Sequence, residues 1–102
     1  MGLMRLLPRP NERPETHEPE EPADFLLCDM AWRPLEVASM LARYARTRMA
    51  RFLIANFKLP MKRKAETVAE LRGVLAGGGW RALRTRQLYH DRDEITVTAR
   101  LT

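Results

Sequence analysis

Three charged residues stand where they could carry out chemistry, because each lies at the end of an apolar stretch. Asp29 follows residues 25–28, Lys58 closes the run that starts at Phe52, and Glu94 opens a stretch of alternating apolar and polar residues. In an open α/β sheet, ligands bind outside the carboxyl ends of the strands. A lysine in that position is a candidate for chemistry, and two carboxylates at the same edge of the sheet would lie near it. The alternative is an ordinary ion pair at the edge of a sheet.

A cluster of cations follows Lys58 in the sequence. Lys62, Arg63 and Lys64 come just after Pro60, which closes the strand because proline fixes its own φ and has no N–H to donate. The helix macrodipole disfavours cations in a first helical turn by about 0.3–1 kcal/mol each. Contact with phosphate groups explains the cluster, and a solvated basic surface explains it equally well.

The apolar spacing predicts which elements position these residues. The predicted elements are strands at 25–29, from about residue 50, at 80–89 and at 94–101, helices at about 34–47 and 66–75, and a tight turn at 90–93. Right-handed crossovers make the first two strands parallel, and the short final connection makes the last two antiparallel. This β-α-β-α-β-β order brings Asp29, Lys58 and Glu94 to one edge of the sheet.

Composition divides the chain into two regions. Residues 1–23 are rich in proline and glutamate and are predicted to be a disordered leader, which leaves residues 24–102 as one small domain. Of the 18 basic and 13 acidic residues, three basic and six acidic lie in residues 1–24, so the net charge is −3 there and +8 in the rest. A basic domain indicates a polyanionic partner, most simply nucleic acid.

Other compositional signals exclude several classes of protein. The single cysteine, Cys28, rules out an internal disulfide and indicates a reducing compartment, so we predict a cytoplasmic location. The two histidines, without a cysteine cluster, predict no metal site. No apolar run approaches the roughly 20 residues that a membrane helix needs, so no membrane partner is expected.

Three separated motifs resemble one protein family. They are FLLCDM at residues 25–30, NFKLPMK at residues 56–62 and QLYHDRDEITV at residues 87–97. In this order they are similar to the ribosomal RNA large subunit methyltransferase M family, a branch of the FtsJ-like 2′-O-ribose methyltransferases. The resemblance covers about residues 22–101.

The resemblance implies a fold, a reaction and a set of site residues. It implies a Rossmann-like methyltransferase domain that uses S-adenosylmethionine to methylate a ribose of large-subunit (23S) ribosomal RNA. The family's active site is a Lys-Asp-Lys-Glu tetrad. The motifs place its Asp at Asp29, which also contacts the cofactor, its second Lys at Lys58 and its Glu at Glu94. Lys58 is then the base or the group that orients the hydroxyl, and the two acids hold its ammonium.

Two parts of the family pattern have no counterpart in this sequence: the first lysine of the tetrad and the glycine-rich cofactor loop. The glycines at 77–79 do not replace that loop, because they follow a predicted helix, whereas a cofactor loop follows a strand and opens a helix. We therefore predict the carboxyl-terminal half of a Rossmann-like methyltransferase sheet, and an isolated chain that is inactive and does not bind the cofactor. The alternative is a non-catalytic RNA-binding remnant or module.

The missing half also has a consequence for the sheet. It predicts that residues 25–29 form an exposed apolar edge strand. Such an edge pairs readily with another chain, so self-association through it is expected.

Overall fold

The computed structural model describes residues 3–6, 23–29, 33–88 and 91–101. These residues form β1 (Leu3–Leu6), β2 (Ala23–Asp29), α1 (Pro34–Arg46), β3 (Ala50–Lys58), α2 (Lys64–Gly78), β4 (Arg81–Leu88) and β5 (Asp91–Arg100). The strands form one sheet in the order β1-β2-β3-β5-β4. β1, β2 and β3 are parallel, and β5 is antiparallel to both of its neighbours. The predicted β-α-β-α-β-β order after residue 23 is confirmed, including its antiparallel last pair.

Helix α1 begins and ends where the sequence predicts, to within one residue. Pro34 occupies the first helical turn, where its missing N–H costs nothing. Glu36 lies in the first turn, while Arg43 and Arg46 lie in the last, so the charges complement the helix dipole. The Thr47 hydroxyl donates to the Arg43 carbonyl at 3.0 Å and helps to close the helix.

Helix α2 is longer than predicted, because two of the glycines expected to stop it are helical. Gly78 lies against α1 so closely that a Cβ atom on it would be 2.5 Å from the Ala42 Cβ. The helix ends one residue later, at Gly79, whose φ of 122° would be strained for any residue with a side chain. The glycines thus allow two helices to pack closely before the chain turns.

The core lies between the two helices and one face of the sheet. Alternate strand residues are buried there together with helix residues; those of β3 are Leu53, Ala55 and Phe57, and those of β5 are Ile95, Val97 and Ala99. Trp80 is fully buried at the end of α2, and its Nε1 donates to the Leu41 carbonyl of α1 at 2.9 Å. We call the opposite face of the sheet, which neither helix covers, the open face.

Strand β1 corrects two predictions. Residues 1–23 are predicted to lack regular structure, but Leu3–Leu6 pair with β2, with Leu3 opposite Phe25. A four-residue stretch that contains Arg5 among three apolar residues is too short to be recognised as a strand, and tertiary pairing decides its conformation. Because β2 has a neighbour on each side, the exposed edge predicted at residues 25–29 is wrong, and self-association through it loses its structural basis. Residues 7–22 of the predicted leader lie outside the described residues, so the domain division stays a prediction.

The predicted turn at residues 90–93 is also too long, since β5 already begins at Asp91. The contact between β3 and β5 also continues one residue beyond β3, where the Leu59 N–H donates to the Asp93 carbonyl at 2.6 Å. Residues 89 and 90 lie outside the described residues. On the other side of β5, β4 has a bulge between Arg81 and Arg84, with Ala82 at a φ of 55°. Neither helix of the described residues is long and apolar enough to cross a membrane.

Candidate active site

The sheet register brings the three predicted site residues to one place. Lys58 lies directly opposite Glu94 in the β3–β5 pair, and Asp29 lies opposite Asn56, two residues before Lys58. Directly opposed residues have Cβ atoms about 4.5–5.5 Å apart, and diagonal neighbours lie about 7–8 Å apart. A lysine side chain spans either distance. The site stands at the carboxyl ends of β2 and β3, where α/β sheets bind ligands.

All three side chains belong to the open face. In β3 the buried Ala55 and Phe57 alternate with Asn56 and Lys58, so Lys58 faces away from the helices. Lys58 and Asp29 are exposed, whereas Glu94 is half-buried. A substrate hydroxyl can therefore approach the Lys58 amine from solvent, and Glu94 lies opposite Lys58 on the neighbouring strand.

Lys58 also lines a groove between the start of α1 and the connection from β3 to α2. The groove has a volume of about 780 Å³ and is lined by Arg33, Pro34, Leu35, Glu36, Lys58, Leu59, Pro60 and Thr67. This volume falls within the roughly 300–1,000 Å³ of ordinary ligand sites. Arg33 extends into solvent from one wall, with its Nη1 3.7 Å from the Glu36 carboxylate. The groove thus offers apolar walls and a cation next to Lys58.

Two polar residues that the sequence analysis missed adjoin the site. The Thr96 hydroxyl donates to Asn56 Oδ1 at 2.6 Å, and both residues are half-buried. Because Thr96 occupies that oxygen, the amide NH₂ of Asn56 is the group left to donate. Strand alternation could have revealed both, since each lies two residues from Lys58 or Glu94 and therefore on the same face.

The predicted phosphate-binding cations fall into two groups. Lys64 begins α2, and its Nζ lies 2.5 Å from the Asp93 carboxylate, which offsets the unfavourable position of a cation at a helix start. Lys62 and Arg63 precede the helix and are exposed. Arg63 adopts a left-handed conformation with φ 61° and ψ 40°, and its carbonyl accepts the Thr67 hydroxyl at 2.9 Å.

The residues present do not fit a complete S-adenosylmethionine site. The chain has five glycines, at positions 2, 73, 77, 78 and 79, so none lies between β2 and α1 or between β3 and α2. Those two helices are opened by Arg33 and Arg63 instead. A glycine-rich turn from strand to helix is what lets backbone N–H groups approach a cofactor closely. Asp29 is the one cofactor contact that the resemblance implies for this chain.

The fold is that of part of a Rossmann-like α/β domain. A solved structure with this architecture is the fibrillarin pre-rRNA processing protein of Methanococcus jannaschii, with a TM-score of 0.66 over 79% of this chain and 37% of that one. The two sequences are 18% identical, so this likeness concerns the fold alone.

The sequence relatives are more specific. The ribosomal RNA large subunit methyltransferase M of Thauera aminoaromatica is 42% identical over 86 residues, which are 80% of this chain and 24% of the relative. That of Azoarcus sp. strain BH72 is 44% identical with the same coverage. No protein-family profile matches the chain. The resemblance carried by the three motifs is confirmed: the chain is homologous to a segment of methyltransferase M and spans about a quarter of its length.

Proposed function

We propose that this chain provides the part of a 2′-O-ribose methyltransferase that binds the ribose hydroxyl and removes its proton, acting on large-subunit (23S) ribosomal RNA. The similarity to relatives named for that activity supports the proposal. The observation that carries it is the register of the sheet, which sets Lys58 opposite Glu94 and diagonal to Asp29 on an open face. An ion pair serving stability alone does not require a ligand-sized groove beside it.

The proposed chemistry assigns one role to each side chain. The Lys58 amine, when neutral, accepts the proton of the ribose hydroxyl. The ammonium that forms lies beside Glu94, and Asp29 approaches it from the neighbouring strand. The NH₂ group of Asn56 is placed to orient a ribose oxygen. The methyl donor implied by the resemblance is S-adenosylmethionine, and the residues of this chain do not complete its site.

The RNA backbone is proposed to lie along the groove. Lys62 and Arg63 on one side, and Arg33 on the other, are exposed cations that can bind phosphate groups. Lys64 is a weaker candidate for this role than the sequence indicates, because Asp93 already pairs with it. Lys62 and Arg63 are therefore the cations whose loss should weaken RNA binding most.

A second candidate function is RNA binding without catalysis. The observation that favours it is the absence of a glycine-rich strand-to-helix turn, which leaves Asp29 as the one cofactor contact that the resemblance implies for this chain. Both candidates use the same cations, so RNA affinity alone does not separate them.

An assay of methyl transfer by a chimera distinguishes the two candidate functions. In the chimera, residues 22–101 of this chain replace the matched 86-residue segment of the Thauera aminoaromatica relative. Enzyme function predicts transfer of a labelled methyl group to 23S ribosomal RNA by the chimera. It also predicts no transfer, and no cofactor binding by calorimetry, for the 102-residue chain alone. A folded chimera that binds both cofactor and RNA but transfers no methyl group would favour the RNA-binding module.

A further inference from the structure

We propose that Asn56 and Thr96 act together to orient the substrate hydroxyl. The amide NH₂ of Asn56 donates to the oxygen of that hydroxyl, and the Thr96 side chain holds the amide in the orientation that this requires. Asn56 is then a substrate-binding residue, and Thr96 is a positioning residue that acts through it. This inference rests on the proposed function and adds to the site two residues that the Lys-Asp-Lys-Glu tetrad does not contain.

The two residues are the middle members of a row of four that crosses the open face. Asp29 of β2 lies opposite Asn56 of β3, and Asn56 lies opposite Thr96 of β5. Thr96 in turn lies opposite Arg86 of β4. The two inner residues are half-buried and the two outer ones are exposed. The row therefore runs from a carboxylate through an amide and a hydroxyl to a guanidinium.

The bond between Thr96 and Asn56 sets which end of the amide faces the site. The Thr96 hydroxyl donates to Asn56 Oδ1 at 2.6 Å, so the NH₂ group is turned away from β5. The charges at the two ends of the row favour the same orientation, because the amide oxygen then lies on the side of Arg86 and the NH₂ group on the side of Asp29. Within the described residues, the NH₂ group donates no hydrogen bond, so it is available to a substrate.

The spacing along β3 suits a single hydroxyl between Asn56 and Lys58. Residues two apart on one face of a strand lie about 6.6 Å apart, and two hydrogen bonds to one oxygen atom span about 5.8 Å. A hydroxyl has one proton and two lone pairs. With the proton directed to Lys58 and one lone pair accepting from Asn56, the second lone pair stays free, and a hydroxyl that is to be methylated needs it.

The Thr96 side chain is needed because the last side-chain torsion of asparagine is loosely defined by itself. Without a partner for Oδ1, the amide of Asn56 can rotate and present its oxygen to the hydroxyl. An amide oxygen would compete with Lys58 for the hydroxyl proton. The bond from Thr96 therefore decides whether Asn56 assists Lys58 or opposes it.

The first test uses the 102-residue chain and requires no methyl transfer. Nuclear magnetic relaxation of the Asn56 side-chain amide measures its order parameter. Thr96→Ser keeps the hydroxyl and should leave this order parameter unchanged. Thr96→Val keeps the shape of the side chain without the hydroxyl and should lower it to below about 0.6, the range of flexible groups. An order parameter unchanged in folded Thr96→Val would overturn the positioning role.

The second test measures methyl transfer by the chimera. Asn56→Ala should lower kcat by about 10- to 100-fold, because the hydroxyl loses its orientation. Thr96→Val should lower kcat by about three- to tenfold, and Thr96→Ser should restore it. The KM for RNA should stay nearly constant, since phosphate contacts provide most of the affinity. A merely structural role predicts the opposite order at position 96, because valine suits a strand better than serine.

A double variant tests whether Thr96 acts through Asn56. Asn56→Ala combined with Thr96→Val should be no slower than Asn56→Ala alone, because the second substitution then removes nothing further. Effects that multiply would overturn the role assigned to Thr96. Thermal midpoints check that each variant is folded.

Failure of this inference differs from failure of the proposed function. If the chimera transfers methyl groups and requires Lys58, but Asn56→Ala transfers them at the full rate, the proposed function stands and the inference is wrong. If the unsubstituted chimera binds cofactor and RNA without transferring a methyl group, both are wrong. Loss of kcat in Asn56→Ala and Thr96→Val, with recovery in Thr96→Ser, supports both.

Discussion

The two faces of the sheet are built from the same strands but differ in what they carry. On the helix-covered face, β2, β3 and β5 present apolar residues that are buried with α1, α2 and Trp80. On the open face, the same strands present the lysine and carboxylates of the candidate site, the half-buried pair of Asn56 and Thr96, and the exposed side chains of Phe52 and Ile54. The covered face therefore contributes most to stability, and the open face carries the residues of the proposed site.

This division predicts that open-face and covered-face substitutions affect different measurements. The largest expected effect is on catalysis. In the chimera, Lys58→Ala should reduce methyl transfer by about 10²–10⁴-fold, the usual contribution of a general acid or base. The thermal midpoint should stay the same, because the Lys58 side chain is exposed. Arg46→Ala is the control, since it removes an exposed cation from α1. A Lys58→Ala protein with lower stability and unchanged transfer would contradict the division.

The second largest expected effect is a loss of stability caused by a substitution on the helix-covered face. Gly78→Ala should lower the free energy of unfolding of the chain by about 1–3 kcal/mol, because the added methyl group meets Ala42 and the two helices must separate. Gly77→Ala is its matched control. No atom lies within 4 Å of a Cβ at Gly77, so alanine should be neutral or stabilise the helix by up to about 1 kcal/mol.

Urea denaturation of both glycine variants measures the difference. If the two substitutions have equal effects, Gly78 is not the close contact between α1 and α2. The packing of the covered face would then need another explanation.

The smallest expected effect lies at the boundary between the faces. Lys64→Gln should change the free energy of unfolding by about 0–1 kcal/mol, because both members of the Lys64–Asp93 pair are partly exposed. Asp93→Asn should give a similar change. The double variant should lose at most a few tenths of a kcal/mol more of its free energy of unfolding than either single variant. If Lys64→Gln instead weakens RNA binding as much as Lys62→Gln, Lys64 belongs with the phosphate-binding cations.

Much of this architecture follows from the sequence. The apolar run at residues 25–28, the helical spacing after Pro34 and the alternation after Glu94 predict elements that the structure contains. Topology then brings Asp29, Lys58 and Glu94 to one end of the sheet, because crossover handedness and a short final connection leave few arrangements. These signals are local or follow from connection lengths.

The features that the sequence did not predict depend on contacts between distant segments. Leu3–Leu6 pairs with the edge that β2 offers, and the close contact that Gly78 allows depends on Ala42 of the other helix. The bond from Thr96 to Asn56 joins residues 40 positions apart. The pairing of Lys64 with Asp93 likewise depends on how far β5 extends along β3.

Lys58 is proposed to accept the proton of a ribose hydroxyl, and the substitution Lys58→Arg in the chimera is the sharpest test of that role. Arginine keeps the positive charge and most of the length of lysine, but its guanidinium remains protonated and does not act as a base. We expect methyl transfer to fall nearly as far as in Lys58→Ala, with RNA affinity close to that of the unsubstituted chimera. If Lys58→Arg instead retains substantial turnover, the side chain at position 58 contributes its charge alone and does not take the proton.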